Sequence, residues 1–137
     1  MKKKSVVVLG TIVLVLLLAS GCGLMQFSSE KLSDLDYTVL DTDGIPEELL
    51  AEIESQKENA FTLTYLDGDY LYLARGFGEQ ETGGYSISVT DLYLTENSIC
   101  FETTLVGPKK GETVSTAVTY PYIVVKLERR EEPVVFD

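Results

Sequence analysis

Apolar residues recur along the chain in three rhythms, and each rhythm predicts a different element. From Val6 to Ala19 the run is free of charge and almost wholly apolar. It falls short of the ~20 residues that a membrane-spanning helix needs. Near position 50 the period is helical. Ile45, Leu49 and Ile53 recur four apart with Leu50 alongside, while Glu47, Glu48, Glu52, Glu54 and Glu58 fill the other face. Pro46 suits the first helical position, and glutamates in the first turn suit the positive end of the helix dipole.

From Ala60 the period becomes two, the signature of strands. Phe61, Leu63 and Tyr65 alternate with threonines, Asp67-Gly68-Asp69 turns the chain, and Tyr70 to Leu73 resume the alternation. Residues 60–66 and 70–75 therefore read as a hairpin. Tyr85, Ile87 and Val89 alternate with polar residues, and Leu92 and Leu94 then take the apolar role on the opposite parity. Such a phase change predicts a bulge near Asp91. Ile99 to Leu105 is a further strand, and Val114 to Leu127 reads as one long last strand. Within it, Ile123-Val124-Val125 is continuous, as in a strand buried on both sides. Asp36 to Leu40 is a candidate first strand, and the charged end after Glu128 is expected to fray, with Val134 to Phe136 able to pack back. These elements predict an α+β fold: one small domain, with an amphipathic helix on a mostly antiparallel sheet of five or six strands.

The first apolar run follows Lys2-Lys3-Lys4 and closes with Ala19-Ser20-Gly21-Cys22. A positive n-region, a short apolar stretch and small residues make a secretory signal peptide. Left uncleaved, the same run would be a short membrane anchor. Small residues directly before a cysteine resemble the lipobox of bacterial lipoproteins, with Ala19 standing where Leu is commoner. That resemblance implies a thioether link from Cys22 to diacylglycerol, and so a lipid bilayer as partner at the outer face of a bacterial cell membrane. The expected organisation is a signal peptide over 1–21, a tether over 22–35, the domain over 36–130 and a tail over 131–137.

Composition then removes whole classes of function. The chain has 11 basic and 22 acidic side chains, a net charge of −11, and three of the basic ones are Lys2, Lys3 and Lys4. The exported part is therefore more acidic still, and it repels nucleic acid, whose binding requires neutralised phosphates. There is no His and no Trp, and Cys22 and Cys100 are the two cysteines. Without His, neither a Ser-His-Asp nor a Cys-His pair can be assembled. Two cysteines are too few for a thiolate zinc site. Cys100, in an apolar run with no His to lower its pKa, reads as a small buried hydrophobe. Asp41-Thr42-Asp43-Gly44 begins like a calcium loop but lacks the later ligands, and reads as a turn. Gly76-Phe77-Gly78 is followed by no Gly-Lys-Ser/Thr, so it is not a phosphate loop. No catalytic residue, metal ligand or cofactor site is assigned, and no enzymatic activity is expected.

Two segments escape this periodic reading. In Thr82-Gly83-Gly84-Tyr85-Ser86-Ile87 a double glycine stands at the mouth of a strand, which suits positive φ or a close approach. In Thr119-Tyr120-Pro121-Tyr122-Ile123-Val124-Val125 a proline falls inside the most apolar run, where it removes one ladder bond. A bulge and an edge kink account for both in backbone terms. Together, in this order, the two segments resemble the PrcB C-terminal domain family over roughly Phe61 to Leu127. The resemblance implies a bacterial surface lipoprotein that associates with, and helps stabilise, an exported subtilisin-like protease complex. It implies no catalysis. Thr82, Gly83, Gly84, Tyr85, Tyr120, Pro121 and Tyr122 are accordingly the candidate partner-binding or fold-defining residues. Tyrosine suits such a role, offering large area, few rotatable bonds and a polar tip. The alternative is a module binding envelope polysaccharide or a small ligand, with tyrosines stacking on sugar rings.

Overall fold

The computed structural model describes residues 30–137. The signal peptide, Cys22 and most of the expected tether lie outside the described residues. Strands β1 (Ser33–Asp34) and β2 (Thr38–Val39) lead through a 3-10 turn at Thr42–Gly44 into helix α1 (Glu47–Gln56). Six strands follow: β3 (Ala60–Asp67), β4 (Tyr70–Phe77), β5 (Ser86–Leu94), β6 (Ile99–Val106), β7 (Tyr122–Glu128) and β8 (Val134–Phe136). The expected α+β class and its helix are present, but the strands divide into two four-stranded sheets, ordered β2-β7-β4-β3 and β1-β5-β6-β8. All pairings are antiparallel except β6 with β8.

The result is three layers. Leu49 and Ile53 of α1, with Ile45, pack on Phe61, Tyr72, Ala74 and Val124 on one face of the first sheet. Leu71, Leu73, Ile123, Val125 and Leu127 on its other face meet Leu92, Ile99 and Phe101 of the second sheet. Each such aliphatic side chain contributes roughly 1.5–3 kcal/mol on burial. The continuous apolar run of β7 is thus explained by its place in the middle layer. Phe61 lies directly against Gly76 of the neighbouring strand, where a Cβ would collide with its ring.

The phase change in β5 is a register shift between Val89 and Asp91. It keeps Ile87 and Val89 before it, and Leu92 and Leu94 after it, turned toward one core.

Three expectations are corrected. Ser33–Asp34, within the expected tether, pairs with β5, and Leu35 packs against the core between the sheets. Val134–Phe136 packs back as the sequence allowed, but as strand β8, with Phe136 edge-on to Phe101 at 6.0 Å, so the domain runs past the expected boundary at 130. The last long strand begins at Tyr122 rather than Val114. The segment before it crosses from one sheet to the other, so it cannot remain in a single ladder.

Candidate functional site

The two segments that escaped the periodic reading meet at one end of the sandwich. Gln80 and Thr119 exchange backbone hydrogen bonds of 2.8 and 3.0 Å, and the Thr119 hydroxyl donates to the Thr82 carbonyl at 2.7 Å. Gly83 N–H donates to the Ser115 carbonyl at 2.9 Å. Gly84 has φ +86°, and a Cβ there would stand 2.5 Å from Val114 Cγ1 and 3.1 Å from Pro108 Cβ. An L side chain is disfavoured in that conformation, so here the double glycine has a local cause. Tyr85 packs close to Gly107. Residues 82–85 therefore brace the crossing between the sheets.

Pro121 precedes β7 rather than interrupting it. Phe77 N–H donates to the Pro121 carbonyl at 3.1 Å, but proline has no N–H to return. The Phe77 carbonyl accepts instead from Gln80 Nε2 at 3.3 Å. The lost ladder bond is thereby replaced, and the part-buried carbonyl keeps a partner.

Tyr120, Pro121 and Tyr122 line an open groove of about 750 Å³. Ile123 and Val124 continue that wall, Val39 to Asp43 and Ile45 line it from the β2 side, and Ile87 reaches it from the second sheet. The Tyr120 hydroxyl donates to Glu79 Oε1 at 3.4 Å, and Lys57 Nζ lies 5.4 Å from the ring centroid. Partial desolvation, then the charges of Glu79 and Glu58, hold the Tyr120 hydroxyl above the ordinary tyrosine range. It is a neutral donor near pH 7.

Of the candidate residues, Tyr120, Pro121 and Tyr122 face the groove, whereas Thr82, Gly83, Gly84 and Tyr85 stand behind it as supports. Sequence reasoning missed the opposite wall. Asp41 and Asp43 stood out only as a turn, and nothing local reveals that this turn lies beside Tyr122. Tyr72, paired in the sequence with Tyr70, is buried under the helix, while Tyr70 is exposed with Lys126 Nζ 3.9 Å from its ring centroid. Cys100 is a free, buried thiol. Among the described residues no cluster of His, Cys, Asp or Glu could hold a metal ion.

Comparison with known proteins gives one family: residues 71–128 match the model described as PrcB C-terminal. This stretch runs from β4 to the end of β7 and includes both braced segments. No curated protein and no solved structure matches.

Proposed function

Because residues 71–128 match the model of the PrcB C-terminal family, we propose that this chain is a non-catalytic protein-interaction domain of a bacterial surface lipoprotein. Its groove faces a protein partner, a subunit of an exported protease complex that the lipoprotein helps to stabilise. The observation that carries this reading is the seating of Tyr120-Pro121-Tyr122 on an open groove, braced from behind by the Thr82–Tyr85 loop. A tyrosine pair on a braced backbone is a low-entropy anchor for an interface. Diacylglycerol on Cys22 holds the domain at the outer face of the membrane, since two acyl chains suffice for stable anchoring.

Two measurements test this. Metabolic labelling with a palmitate analogue is expected to mark the wild type and not Cys22→Ser; equal labelling removes the anchor. Affinity recovery of the tagged chain from detergent-solubilised membranes is expected to bring down an exported protease subunit. Tyr120→Ala is expected to lose it with the thermal midpoint unchanged. Recovery of no exported protein by the wild type contradicts the proposal.

A second reading, binding of envelope polysaccharide, draws on Tyr37 and Tyr70, exposed beside a smaller groove of about 350 Å³. Lys126 lies over the Tyr70 ring, which leaves less of that ring for a sugar. Retention on purified cell-wall polymer would favour this reading.

A further inference from the structure

Resting on the interaction reading above, we propose how the partner is held: an extended peptide segment bearing basic side chains adds as a strand to the free edge of β7 at Tyr122. In an antiparallel strand, hydrogen-bonding groups of successive residues point to opposite sides. The odd residues of β7 face β4, as the bond from Phe77 to Pro121 and that from Arg129 N–H to the Asp69 carbonyl require. The even residues face β2, where Leu40 N–H donates to the Val124 carbonyl at 2.9 Å. Tyr122, the next even residue, turns its N–H and carbonyl to that same side. Among the described residues, neither group has a backbone hydrogen-bond partner.

The edge is open because β2 leaves it. Only Thr38 and Val39 pair as a strand with β7. After Leu40 the chain enters the 3-10 turn at Thr42–Gly44 and departs toward α1. The groove lies between this departing segment and Tyr120 to Val124. An unpaired edge beside such a groove is a template for another strand. Five extended residues cover about 16 Å, the length of this wall at ~3.3 Å per residue. Val39, Ile45 and Ile87 supply apolar contacts for side chains turned inward. Pro121 does not obstruct the pairing, because its missing N–H belongs to the β4 side.

Charge selects the occupant. Asp41 and Asp43 are exposed on the opposite wall, and among the described residues neither makes a salt bridge. Glu79 and Glu58 lie near Tyr120 at the groove's end, where Lys57 is already paired with Glu54 at 2.7 Å. A segment alternating basic and apolar residues satisfies both walls at once.

The test uses the 15N-labelled full chain in detergent micelles, with an end-capped octapeptide of alternating Lys and Val as probe. Saturating peptide is expected to slow hydrogen exchange of the Tyr122 amide at least about tenfold. The same peptide with every backbone nitrogen methylated, which removes its donors from both edges, is expected to give no slowing, and a Glu-Val counterpart less than a third of it. Unchanged exchange at Tyr122, equal protection by the methylated peptide, or protection by the Glu-Val peptide as strong as by Lys-Val overturns the proposal. So does protection that rises with protein concentration without peptide, because a second copy would then take the edge. Recovery of an exported partner from membranes reads the underlying function separately: it can succeed while Tyr122 stays unprotected, and the reverse also holds.

Discussion

Strands β7 and β5 are of similar length, yet they bury their side chains by different rules. In β7, Ile123, Val124 and Val125 are all buried, because one face meets the second sheet and the other meets the helix. In β5, Ser86, Ser88 and Thr90 are exposed, while Ile87 and Val89 turn toward the core. A strand in a middle layer has its faces occupied where it is covered, so its accessible parts are its edge and its ends. The candidate groove opens there, along the start of β7. The second sheet has a free polar face instead, and the chemistry of the candidate motifs is not on it.

This contrast is open to attack by substitution, and the largest effect is expected where the two sheets meet. Phe101 is fully buried, and Phe101→Ala is expected to cost about 3–5 kcal/mol in urea unfolding. Ser88→Ala, on the free face of the same sheet, is expected to stay within about 0.5 kcal/mol; comparable losses would mean that the polar face is covered. Within the middle layer, Gly76→Val would force Phe61 away and is expected to cost about 2–3 kcal/mol. Gly84→Val, strained by its positive φ but at the surface, is expected to cost about 1–2 kcal/mol in thermal melts of the full chain. An unchanged midpoint would show that the loop reshapes around the side chain.

The smallest effect concerns pH. The Arg130 guanidinium, 2.6 Å from Glu132, holds that carboxyl below its ordinary value of 4.5. A depressed folded-state pKa contributes stability that is full above the unfolded value and is lost as pH falls through the folded one. The stability gap between wild type and Glu132→Gln is therefore expected to be constant at neutral pH and to close on acidification below about 4.5. A gap independent of pH would assign it to packing.

The helix, the β3–β4 hairpin and the β5 bulge were legible because each rests on a periodicity contained within a few residues. Phe61, Leu63 and Tyr65 announce a strand without reference to anything distant. Strand β1 was not legible, since two residues carry no period, and its stability comes from pairing with Tyr93 and Leu94 far along the chain. The crossing over 114–121 misled the strand reading for the opposite reason: it alternates like a strand but has no ladder to join beyond one bridge at Thr119. Half of the groove was legible through Tyr120, Pro121 and Tyr122. The half made by Asp41 and Asp43 depends on where β2 departs from β7, which is set by tertiary packing and leaves no local mark.

In the proposed function, partner contact belongs to the groove at the start of β7 and not to the free face of the second sheet. Photo-crosslinking in intact cells separates the two surfaces, with p-benzoylphenylalanine placed at Asp43 on the groove wall or at Ser88 on the free face. A covalent adduct with an exported protein is expected from position 43 and none from position 88. An adduct from position 88 alone, or from neither position, would contradict the proposed function.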